Sequence, residues 1–168
     1  RKEAMLISKK MTGAINQQVG YELGAMLQYI AIASFFSEEG LEELAAHFFR
    51  QAEEEREHAM LFVKFLLDAG GRLEIPDLPS PRAKFKTAEE AVRHSLDQER
   101  KVTDQINALV ELANKESDHI TRSRLNWFVD EQLEEVSSMD NLLKVIKRSG
   151  EHNLLYVEDY LARRKQSS

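Results

Sequence analysis

A chain of 168 residues, 42% of them hydrophobic, can bury one sizeable core and little more, so a single domain over 1–168 is expected. A net charge of −6 disfavours nonspecific nucleic-acid binding, and the absence of cysteine removes disulfides, thiolate metal ligands and cysteine nucleophiles. The first predicted helix, about 8–37, carries the apolar stripe Ile15, Val19, Glu22, Met26, Tyr29, Ala33, Phe36. The second, about 41–69, reads Leu41, Ala45, Phe48, Ala52, Glu55, Ala59, Phe62, Leu66, Ala69. Only Ser37-Glu38-Glu39-Gly40 separates them, so they should be antiparallel neighbours. A link from Gly70 to Lys86 follows, holding all three prolines, Pro76, Pro79 and Pro81. The third helix, about 87–115, carries Ala88, Val92, Ser95, Glu99, Val102, Ile106, Leu109, Ala113. The fourth, about 118–148 with Asp118 as N-cap, carries Thr121, Leu125, Phe128, Gln132, Glu135, Met139, Leu142, Ile146. After Ser149-Gly150 a short fifth helix, about 151–165, sets Leu154, Val157 and Leu161 on one face.

The Gly70–Lys86 link can span roughly 55 Å when extended, whereas a helix of this length measures about 43 Å. It can therefore run the length of the bundle and leave the second and third helices parallel. Four long helices with one long crossover between two hairpins form an all-α, ferritin-like four-helix bundle. No unbroken apolar run reaches the roughly 18 residues of a membrane span. Arg1-Lys2-Glu3 opens no signal-peptide pattern, and a cytoplasmic location with no membrane partner is the default expectation.

Each stripe is interrupted near its middle, by Glu22, Glu55, Glu99 and the pair Gln132 and Glu135. Mid-helix positions share one level of a bundle, so these carboxylates should meet in the core. Burying one unpaired carboxylate costs several kcal/mol, a large part of the roughly 5–15 kcal/mol that holds a domain together. The glutamates must share protons or surround cations. His58, one turn after Glu55, adds a nitrogen ligand. Two divalent ions would neutralise four carboxylates, and an oxygen-rich shell with one imidazole suits iron or manganese and tolerates zinc. Tyr29, two turns from Glu22, is placed to donate a hydrogen bond or an electron to this centre, or to serve simply as a core tyrosine. Glu54, Glu131 and Glu134 flank the core acids, as an accessory cation site or as exposed charges. His47, His94, His119 and His152 lack partners at metal spacing and read as surface residues. Leu23, Leu27 and Ile30 form a second apolar line on the first helix, fitting either a subunit interface or a broad core face.

Tyr21-Glu22-Leu23 with Tyr29, Glu54-Glu55-Arg56-Glu57-His58-Ala59-Met60, Asp97-Gln98-Glu99-Arg100 with Val102-Thr103, and Trp127-Phe128 through Glu131-Gln132-Leu133-Glu134-Glu135 resemble the bacterial non-haem ferritins. The resemblance runs from about Ile15 to Tyr160. It implies a ferroxidase that stores ferric mineral in a homo-24-mer cage, with a possible electron donor for iron release. By this resemblance Glu22, Glu55 and His58 hold one iron. Glu55, Glu99 and Glu135 hold a second, Gln132 lies beside the site, and Glu54, Glu131 and Glu134 form an extra metal site.

Two departures accompany the likeness. Haem-binding relatives carry a methionine after the bridging glutamate and a histidine in the fourth helix; Arg56 and Glu135 stand there instead, so no haem is expected. Heavy-chain relatives line their three-fold channels with acids at the positions of Arg122 and Leu125, which implies that iron takes another way in. The competing functions are a soluble di-iron oxidase or peroxidase and a helical interaction module whose buried carboxylates share protons. Rubrerythrin-like proteins usually add a cysteine-rich domain, and the fifth helix argues against a DNA-protecting mini-ferritin.

Overall fold

The computed structural model describes residues 5–167. It contains α1 (Lys9–Glu38), α2 (Glu42–Asp68), α3 (Ala88–Lys115), α4 (His119–Ser149) and α5 (Leu154–Gln166), with one 3-10 turn at Glu151–Asn153 before α5. The boundaries of α1 to α4 lie within one residue of their sequence expectations, α5 starts three residues later than expected because the 3-10 turn precedes it, and no strand occurs among the described residues. The starts of α1, α3 and α4 are set by capping side chains. Ser8 accepts from the Met11 N–H at 2.9 Å, Thr87 from that of Glu90 at 3.0 Å, and Asp118 from that of Thr121 at 2.9 Å. Gly40 takes a left-handed φ of 75° in the tight α1–α2 turn, a conformation that costs glycine least.

The crossover lies along α1, held by two side-chain amides that pair with its backbone. Asn16 donates to the Arg72 carbonyl at 2.9 Å and accepts from the Glu74 N–H at 2.7 Å. Twelve residues on, Gln28 does the same with Arg82, at 2.8 and 2.9 Å. Between them a Cβ on Gly20 would come within 2.5 Å of Pro76, so this approach requires glycine. The strap thus runs parallel to α1 and returns the chain to the level where α2 began. α2 and α3 are therefore parallel.

The core has two apolar clusters. One, including Tyr29, Phe36, Leu44, Phe48, Val92 and Ile146, fills the end where α2 and α3 start. The other, including Met11, Ile15, Phe62, Leu66, Ile106 and Phe128, fills the opposite end. α5 closes the first end. Val157 is fully buried there, while Leu154 and Leu161 pack against the same cluster. The Glu158 carboxylate accepts from the N–H groups of Glu43 and Leu44, at 3.0 and 2.8 Å, and Glu151 accepts from Ala88 and Glu89, at 3.3 and 2.9 Å. Two acids of the C-terminal segment thus satisfy the exposed N-termini of α2 and α3.

Leu125 is buried in the second cluster and cannot line a channel, because the stripe that carries it points inward along the whole of α4. By length and composition α1 qualifies to cross a membrane, although Glu22 breaks its apolar run. Half of that apolar window is buried within the bundle, against α2, α3 and the crossover.

Candidate metal centre

Between the two apolar clusters, the four helices contribute Glu22, Glu55, His58, Glu99, Gln132 and Glu135, all buried. No lysine or arginine is buried among the described residues, so no protein cation balances these acids. The centre is built around Glu55 and His58, one turn apart on α2. The His58 Nδ1 lies 3.3 Å from Glu55 Oε2 and 4.0 Å from Glu22 Oε2. Donor atoms of Glu22, Glu55 and His58 all fall within 4.8 Å of one another, close enough to share one ion. Glu22 Oε1 accepts from Gln18 at 3.0 Å, but its Oε2 is buried without a partner. An orphaned carboxylate oxygen in a dry core is expensive, and a cation at this point would satisfy it.

Glu99 faces the same layer from α3. Its Oε1 accepts a short hydrogen bond from the Tyr29 hydroxyl, and its Oε2 accepts from Gln132 Nε2 at 3.3 Å. The Gln132 amide also reaches the Glu99 carbonyl at 3.2 Å and the Thr103 hydroxyl at 3.1 Å, which fixes its Nε2 toward α3. Glu135 Oε2 accepts from Gln51 at 2.9 Å. A second group of mutually close donors is His58, Glu131 and Glu135. Glu131 and Glu135 are one turn apart on α4, and the latter links the buried layer to a pocket of about 340 Å³ that Glu54, Glu131 and Glu134 also line. The accessory acids are thus brought together, and Glu135 joins them. Glu55, Glu99 and Glu135 do not form a third such close group among the described residues.

The electrostatics follow from burial without counter-charge. Burial first, then the charges of Glu22 and Glu99, hold the Glu55 carboxyl well above the usual range. Burial raises Glu99 as well, against the hydrogen bonds from Tyr29 and Gln132. Glu135 is pushed up to about 8 by burial and then by Glu99, opposed by the Gln51 amide. Tyr29 is raised too, by its complete burial and then by Glu99, so it keeps its proton and donates. The layer therefore holds protons at neutral pH that divalent ions would displace.

Three of these features were not legible as site residues. Gln18 and Gln51 precede Glu22 and Glu55 by one turn and orient Glu22 and Glu135 with neutral donors, leaving the negative charge available to a metal. Their four-residue spacing from the acids was the available signal. The Thr103 hydroxyl accepts from Gln132 Nε2 and so holds that amide in place. Trp127 is 46% exposed and meets the His58 ring edge-on at 5.5 Å. His119 and His152 are exposed, as expected, but His47 and His94 are half-buried. α5 covers the former and Phe85 meets the latter at 5.7 Å.

The ferritin-like domain family model matches residues 12–149. The chain is 43% identical over 157 residues to Ferritin BfrB of Mycolicibacterium smegmatis, covering 94% of this chain and 86% of the relative. It is 35% identical over 153 residues to a bacterial non-heme ferritin of Staphylococcus haemolyticus, covering 90% and 92%. An open pore ferritin from the archaeon Archaeoglobus fulgidus superposes with a TM-score of 0.91 at 32% identity, over 94% of this chain and 98% of that one.

Proposed function

The chain belongs to the ferritin family of iron-storage proteins, and from that premise we propose that it is a single-domain ferroxidase that stores ferric mineral inside a shell of its own copies. The observation that carries this reading is the buried layer of four glutamates and one histidine with no protein cation and one orphaned oxygen. Iron is the substrate and the cargo, not a permanent fixture. Glu22, Glu55 and His58 bind one Fe(II). Glu55 interacts with both Glu22 and Glu99, which supports it as the carboxylate shared with a neighbouring ion held with Glu99 and Glu135. Two Fe(II) held together can give up two electrons at once, to O2 or H2O2 as the oxidant.

Charge drives the next stage. Fe(III) binds carboxylate oxygen more strongly and is far less soluble than Fe(II). Glu54, Glu131 and Glu134, beside Glu135 and open to solvent, give it an acidic way out. Exposed Glu57 is placed to gather ions for mineral growth. The half-exposed line of Leu23, Leu27 and Ile30 on α1 supports burial against another copy, in a cage of about 24 chains by the likeness to cage-forming relatives. A cytoplasmic setting and a reductant for release complete the reading. No haem is required by it.

Aerobic Fe(II) loading followed by mass measurement tests this reading. The expected product is a large particle that retains hundreds of iron atoms. A small oligomer that oxidises iron and releases it would point to a soluble oxidase. No oxidation would leave an interaction module with proton-sharing carboxylates.

A further inference from the structure

Beside the acidic pocket lies one of opposite character. We propose that the cleft between α2, α4 and α5, walled by His47, Arg50, Ser138, Asn141, Arg164 and Lys165, binds a tetrahedral oxyanion of the inorganic phosphate class. The cleft has a volume of about 340 Å³, and no acidic residue is among its walls. In a protein of net charge −6, three cationic side chains around one cavity do not follow from composition. Lys165 pairs with Glu43 at 3.9 Å, so Arg50 and Arg164 are the principal charges the cleft offers an anion, with the acids of the adjoining pocket set on its far side.

The donors suit such a ligand. Arg164 donates to the Tyr160 hydroxyl at 2.8 Å and its guanidinium lies 5.5 Å over that ring, so the fork is held at the cavity edge. Guanidinium forks match phosphate oxygens in pairs, and the Ser138 hydroxyl and Asn141 amide add neutral donors. The half-buried His47 sits against the same two arginines. Burial first, then the charges of Arg50 and Arg164, lower it to about 4, so its imidazole stays neutral and can still donate one N–H. His47, Arg50 and Ser138 also line the pocket of Glu54, Glu131 and Glu134, so an oxyanion here sits next to the cation path. A role as counter-ion to emerging Fe(III) rests on the proposed function; the binding itself does not.

Equilibrium dialysis of the iron-free, assembled protein against radiolabelled inorganic phosphate, at about 0.15 M ionic strength to screen diffuse attraction, tests the site. The expected result is saturable binding of one phosphate per chain. Replacing Arg50 and Arg164 together by glutamine should weaken it by at least about tenfold, because two charge-assisted contacts are lost. Arg163→Gln serves as the control of like kind, since Arg163 lies on the same helix and pairs with Asp159 at 2.8 Å outside the cleft. That variant should shift affinity by less than about twofold. Absence of saturable binding, or equal losses in the control and the double variant, would overturn the proposal. Because no iron is present, either outcome leaves the ferroxidase reading to its own test.

Discussion

The two apolar clusters and the acidic layer between them are built on the same four helical stripes, yet burial acts in opposite senses in them. At Phe48 or Leu66, removal from water is itself the stabilisation, roughly 1.5–3 kcal/mol for each large side chain. At Glu55 the same degree of burial opposes folding, since the carboxyl must be held protonated or be matched by an ion. One fold tolerates both because the clusters on either side supply the cohesion that the middle lacks. A stripe that alternates apolar and acidic layers in this way separates the residues that hold the bundle from those that could meet an ion.

That separation can be broken by a crossed pair of substitutions. Glu55→Ala should slow initial Fe(II) oxidation by at least about a hundredfold while leaving the unfolding temperature of the apo protein unchanged or higher, because the carboxylate proposed to bridge the two ions goes and a buried acid is relieved. Phe48→Ala should do the reverse, with a stability loss of about 3–5 kcal/mol and a centre that still oxidises iron in the fraction that folds. Stopped-flow absorbance and thermal unfolding on the same preparations check both. Equal damage to rate and stability in the two variants would mean that the layers are not separable.

Acidity sharpens the comparison. Glu135 titrates near 8 in the folded apo protein against about 4.5 when unfolded, so folding favours its protonated form. Its contribution to stability is fully present below about 4.5 and is lost as pH rises toward 8. Glu55 and Glu99 are raised as well and act in the same direction. The apo protein should therefore gain thermal stability as pH falls from 8 toward 6. With saturating Zn(II) as a redox-silent probe the trend should invert, because metal binding needs the deprotonated acids and a neutral His58. An apo curve that is flat over this range would remove the support for buried, uncompensated carboxyls.

A smaller effect is expected at Gln51→Leu. Losing the amide donor should lift Glu135 further and weaken Zn(II) binding by about three- to tenfold, in line with the loss of one hydrogen bond to a ligand, with little change in helix content. Competition against a chromophoric chelator and far-UV circular dichroism check it. Unchanged affinity would reduce Gln51 to a packing role.

The architecture was legible because each of its determinants is local. Stripes stepping by threes and fours, the short α1–α2 turn and the proline-bearing crossover reported the bundle, and Asp118 reported the start of α4. Glu22, Glu55, His58 and Glu99 were legible as a set because polar residues break an apolar pattern at one level. Gln18 and Gln51 were not, since a glutamine beside a stripe looks solvated until a neighbouring helix covers it. His47 was misread for the same reason, its cover being α5, more than a hundred residues away in the chain. Leu125 was legible from its stripe alone, which turns it into the core at a position where heavy-chain relatives carry an acid.

The stoichiometry of rapid Fe(II) oxidation in the assembled, iron-free protein tests the central claim, that the buried layer is where iron reacts. Successive small additions of Fe(II) in air, followed by absorbance at each step, should give a fast phase that saturates at about two Fe(II) per chain, as four carboxylates require for neutrality. Prior saturation with Zn(II) should abolish that phase. A fast phase with no break near two, or one that persists with Zn(II) bound, would place the oxidation outside the Glu22, Glu55, His58, Glu99 and Glu135 layer.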